Sequence, residues 1–482
     1  MRSAWLILLL PCALGCSTHA EPAASSGLTR EQLLDPKSCS GCHSDHYVEW
    51  SGSMHAYAAD DPLFLAMNAR AQREADVGDF CVKCHAPVAV REGLTTDGMN
   101  LDSLPQSVKG VTCYFCHSAE SVKGTHDNPV QLASDQVLRA SIKDPLLNAA
   151  HGSAYSPLLD RTRSASSELC GSCHDIKNQH GVDIERTFSE WRESAFSQAP
   201  GGTTCGQCHM SESRERVAIA KVPGSPERRS HGHDFPAVDV ALTDFPNRKQ
   251  QRAAIQELLD TTVQSALCVK GLGSNLSVMV ILDNVAAGHS FPSGVAHDRR
   301  AWVELTGYQG DELVYQSGVV PEGSSATQLD DPELWLLRDC GHDDQGKHVE
   351  MFWNATGVEP LLLPGQATFD ASDKRFYQTH VYRTYPRAGG SLGVALDRVE
   401  MQLHLAPVGL DVADSLIDSG DLEPTVRDAL TSFEVGARLV WTAETATETF
   451  LDAGLPMRCI STTNLRAAAD KVPAPTPEHC SD

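Results

Sequence analysis

The chain has 482 residues, 41% hydrophobic and 6% aromatic, the balance of a folded protein of two or three domains rather than a disordered or membrane-embedded one. Its 39 basic and 63 acidic side chains leave a net charge of −24, which argues against a phosphate backbone as partner and so against nucleic acid. Residues 271–482 hold 14 basic and 31 acidic side chains, so most of the excess negative charge lies in the C-terminal half.

The first twenty residues read as an export signal. Arg2 gives a positive start, Trp5 to Leu10 is unbroken apolar sequence, and no charged residue follows until Glu21. The mature protein is therefore expected outside the cytoplasm, in the periplasm or at the outer membrane. Cys12-Ala-Leu-Gly-Cys16 resembles a lipobox, which would place a lipid anchor on Cys16; cleavage after Ala20 would instead release a free periplasmic protein. Neither this run, interrupted at Pro11, nor the later run Val278 to Leu282 is long enough to cross a bilayer, so no transmembrane helix is expected.

Residues 21–245 form the next segment. Thr29-x-x-Gln32 is a capping box that should open a short helix at Leu33 and Leu34. One pattern then recurs five times: Cys39-Ser-Gly-Cys42-His43, Cys81-Val-Lys-Cys84-His85, Cys113-Tyr-Phe-Cys116-His117, Cys170-Gly-Ser-Cys173-His174 and Cys205-Gly-Gln-Cys208-His209. This is the attachment motif of c-type haem. Two thiols three positions apart bond to the two vinyl edges of one porphyrin, and the next imidazole reaches the iron as proximal ligand. The expected cofactors are five covalent haems c with their iron, held by those ten cysteines and by His43, His85, His117, His174 and His209. A zinc site does not need a His after every second Cys, a redox dithiol would occur once, and structural disulfides have no use for the repeated imidazole.

All five motifs fall within 171 residues, roughly 34 per haem, so the porphyrins must supply much of the interior and lie close together. The first cysteines are separated by 42, 32, 57 and 35 residues, which is no tandem repeat. Asp45 to Tyr57 reads as one helix carrying Tyr47, Trp50 and Met54 near one face, and Thr187-x-x-Glu190 as a second capping box opening a helix through Trp191 and Phe196. A Gly-Thr turn from Gly201 leads into Cys205.

Cys39 to Ala56, CSGCHSDHYVEWSGSMHA, resembles the opening signature of multihaem cytochromes related to the tetrahaem electron acceptor of hydroxylamine oxidoreductase. Leu169 to Met210, with LCGSCHD, TFSEWRESAF and TCGQCHM, resembles the wider superfamily that contains the octahaem hydroxylamine oxidoreductases. The resemblance spans about residues 35–240 and implies electron transfer between redox partner proteins. It also implies distal iron ligands. His55 matches the family's Trp-x-x-Ser-x-His-Ala element and His233 its His-x-Phe element. His151 precedes the fourth motif where such families place a ligand, and His126 follows the third motif in a loop. His46, His180 and His231 compete with these four.

The stretch 246–270 reads as a connecting helix, with helical periodicity from Asn247 to Leu267 and neither Gly nor Pro. After it, Leu276–Leu282, Ala301–Tyr308, Glu333–Leu337, Lys347–Trp353, Arg375–Tyr385 and Arg398–Leu405 read as strands separated by turn residues. The expected fold is an α-helical, loop-rich multihaem cytochrome c domain followed by a mainly-β, sandwich-like domain over 271–450. Helices are expected between Leu410 and Leu451, and an extended tail over 451–482. Gly288-His289-Ser-Phe-Pro292-Ser-Gly294 resembles an element found beside haem domains, which makes His289 a fifth distal candidate or else a locally bonded turn histidine. Arg299 and Arg300 could neutralise haem propionates or form a solvated edge. Cys268, Cys340, Cys459 and Cys480 suggest two disulfides, of three alternative pairings.

Three functions remain open. Electron transfer requires close haems with both axial positions filled. An oxidoreductase acting on a small nitrogen or sulfur oxyanion requires one five-coordinate iron. An acidic docking module can coexist with either.

Overall fold

The computed structural model describes residues 27–148, 150–198, 202–452, 454–463, 472–475 and 480. The export segment, with Cys16 and Ala20, lies outside the described residues.

As far as residue 245 the chain builds short helices joined by two-stranded ribbons. The capping box at Thr29 forms, with Gln32 returning a bond to the cap backbone. The expected helix over Asp45 to Tyr57 is broken into Ser44–Ser51 and Met54–Tyr57. Ser53 restarts it by accepting from the Ala56 N–H, and the turn re-aims His55 inward. The second capping box does not form. Thr187 is the first residue of the helix Thr187–Glu193, capped at Arg186, and that helix ends before Phe196. The reason is tertiary: the Thr187 hydroxyl accepts from the Gly294 N–H, and the Glu190 carboxylate accepts from the Ser290 N–H. Both side chains bind the C-terminal half instead of their own helix.

The connecting helix is Arg248–Thr262, and at Val263 the chain passes directly into a ten-residue strand, Val263–Leu272. The stretch expected as helix to Leu267 is therefore part strand, because Val263, Leu267 and Val269 are buried in the core of the β region.

Among the described residues that region is built mainly on two open sheets, beside a two-stranded ribbon of Asp339–His342 and Gly357–Pro360. One has six strands in the order Glu448–Asp452, Leu455–Ser461, Val263–Leu272, Asn275–Asn284, His380–Tyr385 and Val472–Pro473. The other runs Glu312–Ser317, Arg300–Gln309, Arg398–Ala406 and Phe433–Thr442, with Trp335–Leu337 also paired to Arg300–Gln309. Leu267, Val280 and Val381 of the first sheet share one core with Val303, Leu305, Leu403 and Val435 of the second.

Several expectations change here. Lys347–Trp353 forms no strand; Met351 and Trp353 are buried against Leu63 and Ala66 of the helix Pro62–Ala75 and against Val412 and Leu416 of the helix Leu410–Asp418. Its apolar pattern serves the contact between the two halves. Arg375–Tyr385 is a strand only from His380. Between Leu410 and Leu451 the helices stop at Arg427, and strands follow. The proposed boundary at 450/451 falls inside the strand Glu448–Asp452, and the next strand, Leu455–Ser461, places Cys459 opposite Cys268. Those two are disulfide-bonded, and Cys340 bonds Cys480, which pins the chain's end to the β region.

The two halves are joined by polar contacts as well. Arg186 forms a bidentate pair with Asp339, both contacts at 2.9 Å. Arg299 pairs with Asp239 at 2.9 Å across the same junction, while Arg300 pairs with Asp411 at 2.5 Å within the β region. Both arginines are buried in protein ion pairs, which replaces the reading of a solvated edge. No helix among the described residues is long and apolar enough to cross a membrane.

Candidate haem centres

Each motif forms or borders one turn of helix, as in Val82–His85, Cys113–His117 and Cys205–His209. A turn of 3.6 residues puts the two cysteines and the histidine on one side, which the attachment chemistry requires. The last two of these turns are set by the sequence immediately before them. Thr112 caps one by accepting from the Phe115 N–H, and Thr204 caps the other with a full capping box to Gln207. The ten motif cysteines are free of disulfides, whereas the other four among the described residues are all disulfide-bonded.

The proximal histidines share a second feature. The Nδ1–H of His43 donates to the Ile219 carbonyl at 2.9 Å, that of His85 to Ala58 at 2.9 Å, that of His117 to Arg139 at 2.6 Å and that of His209 to Pro236 at 2.8 Å. A carbonyl can only accept, so the proton must sit on Nδ1 and the Nε2 lone pair is left for a metal. His174 differs in its acceptor: its Nδ1 meets the Glu185 carboxylate at 3.0 Å. The donor set fits haem c: paired thiols on one helical face, followed by an imidazole fixed in the metal-binding tautomer.

Three distal candidates lie near proximal rings. At metal–nitrogen distances of about 2 Å, two imidazoles on opposite sides of one iron have ring centres about 6 Å apart. His151 lies 6.5 Å from His43, His233 lies 6.5 Å from His117 and His55 lies 6.4 Å from His174, centre to centre. His46 is also 6.3 Å from His43, but it stacks at 4.6 Å on His233 and sits three residues from His43 on the same helical turn. His151 and His233 donate through Nδ1 to Gly152 and His231 carbonyls at 2.9 and 2.8 Å, the anchoring seen at the proximal rings. His55 is held by the chain before the third motif. Val111 N–H donates to the His55 carbonyl at 2.8 Å, and Gly110, at φ +69°, packs so close that a Cβ there would lie 2.6 Å from that carbonyl oxygen.

His289 is buried, and its Nδ1 donates to the Ser290 carbonyl at 2.8 Å. Burial pushes His289 down to about 4, and it pushes His55 and His233 down to about 3, so all three stay neutral and able to bind metal at neutral pH. His126 is placed differently. Its ring meets Thr125 at 3.2 Å and Asp127 at 3.7 Å and is 38% exposed, with no ring contact to a proximal imidazole among the described residues. His85 stacks instead on Phe64, 4.0 Å away and nearly parallel.

The motifs also meet one another. The Cys39 thiol lies close to that of Cys113, Cys84 to Cys173, and Cys170 to Cys205. Motif four thus adjoins motifs two and five, and motif one adjoins motif three. Glu185 and the carbonyls of Ile219, Ala58, Arg139 and Pro236 carry no signal in the sequence that marks them as partners of these rings.

Residues 38–118 match the family described as cytochrome c554 and c-prime. A penta-heme cytochrome c552 from Thermochromatium tepidum has a similar structure, with a TM-score of 0.57 and 21% identity over 86% of this chain and 99% of that one. The fold is that of a multihaem c-type cytochrome. No curated protein matches the chain.

Proposed function

We propose that the protein is an exported electron-transfer cytochrome that holds five haems c in one contiguous cluster and passes electrons between redox partner proteins. The observation that carries this reading is the pairwise meeting of thiols from different motifs, Cys39 with Cys113, Cys84 with Cys173 and Cys170 with Cys205. Cofactors bound through those sulfurs would have adjoining edges, which is the condition for electrons to tunnel between them. Haem c supplies the one-electron chemistry. The chain supplies attachment, proximal imidazoles fixed by their Nδ1 bonds, and distal imidazoles at His151, His233, His55 and His289. Export is supported by the two disulfides and by the export signature over residues 1–20, with Cys16 as lipid anchor or Ala20 as cleavage site. The β region is proposed as a sandwich that braces the haem cluster.

Mass spectrometry of the mature protein tests the haem number and the modification of Cys16 together. Five covalent haems are expected; fewer, from a host with full maturation machinery, overturn the reading.

A second reading has one specific observation behind it. His85 packs against Phe64, and no second imidazole faces it among the described residues. The haem on Cys81 and Cys84 would then be five-coordinate and open to a small nitrogen or sulfur oxyanion. An EPR spectrum of the oxidised protein decides: a high-spin signal that changes with nitrite or hydroxylamine supports catalysis, and wholly low-spin signals exclude it.

A further inference from the structure

Four of the five proximal imidazoles donate to peptide carbonyls, and one donates to a carboxylate. The exception is built in. Glu185 ends the strand Asp183–Glu185, which pairs with Ile176–Lys177 immediately after the fourth motif, Ile176 standing opposite Glu185. This short ribbon returns the carboxylate to the imidazole from which the strand set out. The Glu185 side chain is 7% exposed, so water screens it little. The nearby cations are engaged elsewhere, Arg186 with Asp339 and Arg299 with Asp239. The carboxylate's hydrogen bond among the described residues is the one to His174.

A carboxylate draws the Nδ1 proton more strongly than a carbonyl does, which makes the imidazole a more basic ligand. A more basic ligand stabilises Fe(III), the form with one electron fewer, over Fe(II). We propose that Glu185 sets the reduction potential of the haem on Cys170, Cys173 and His174 and makes it the last of the five to be reduced. The position gives the effect a consequence. The fourth motif adjoins the second and the fifth through Cys84 and Cys205, so the lowest-potential centre would be the junction of the cluster and not its end.

This inference rests on the five-haem reading, and the experiment separates the two. Purified wild-type protein and Glu185→Gln are counted for covalent haem and then titrated potentiometrically, with EPR following each haem. Fewer than five haems in the wild type refutes the five-haem reading. With five present in both proteins, the lowest transition should move upward in Glu185→Gln, the other four should stay, and Glu185→Asp should restore the wild-type order. Unmoved transitions, or a shift in a different haem, overturn the role of Glu185. If Glu185→Gln fails to mature, near-infrared magnetic circular dichroism of the wild type still decides. One ligand-to-iron band at higher energy than the rest supports the proposal, and coincident bands overturn it.

Discussion

The two halves of the molecule are held together by different means. In the β region 27 buried hydrophobic residues, from Ile255 to Ala446, form one cluster, and every cysteine is in a disulfide. The main cluster of the motif-bearing half has 14 buried residues and ends at Leu158, short of the fourth and fifth motifs. Its helices are mostly of four to eight residues, below the length at which a helix is stable alone. One half carries its own core. Under the proposed function the other would depend on haem bonded to its ten motif cysteines.

The strongest test of this contrast is to withhold the haems. Chain made without haem attachment should lose its structure between residues 27 and 245 and be cut there by trypsin, while a fragment from about residue 248 onward survives. Survival of both halves would show that the short helices hold without cofactor.

The next effects are smaller. Replacing Cys268 and Cys459 by Ala opens a loop spanning 191 residues and should cost on the order of 4 kcal/mol in denaturant melting of the β region. Haem spectra should not change. Arg186→Ala leaves the Asp339 carboxylate, 2% exposed, without its partner and should cost about 3 kcal/mol. That loss should appear in both halves, since the pair joins them; a loss confined to the β region would mean that the halves melt independently.

A further test uses pH. Burial raises Asp298 to about 7, far above its unfolded range, so its protonated form is favoured by folding. Its contribution is fully present below about pH 4 and fades as pH rises through 7. Asp298→Asn should therefore gain stability over the wild type from pH 4 to 7, with a constant difference above that. A difference that does not vary with pH would place the carboxyl in contact with water. The smallest effect belongs to Arg73, 51% exposed in its pair with Asp421 across the same junction: Arg73→Ala should lower stability least of these variants, and less still in high salt.

The attachment chemistry was legible in the sequence because it is local. Cys, Cys and His at fixed spacing must share one helical turn whatever surrounds them, and the five motifs form or border such turns. Strands with clean alternation, such as Arg300–Gln309 and Arg398–Ala406, were legible for the same reason. Elsewhere tertiary contact overrode the local pattern. Thr187 and Glu190 have the residues of a capping box but bind the loop at Gly294 and Ser290. Met351 and Trp353 have the spacing of a strand but fill the seam between the halves. Val263 to Leu267 continues a helical period but is recruited into a sheet by its neighbours.

The sequence by itself determined how many haem motifs the chain carries, which cysteines and proximal histidines they use, and that two unlike halves follow one another. Only the tertiary structure decided which distant imidazole faces which: His151 and His43 are 108 residues apart, and His55 and His174 are 119 apart. It alone joined Cys268 to Cys459 and set Glu185 behind His174. Local rules fix what each turn of chain can hold. What stands across from it depends on packing over a hundred residues or more, where no spacing rule reaches.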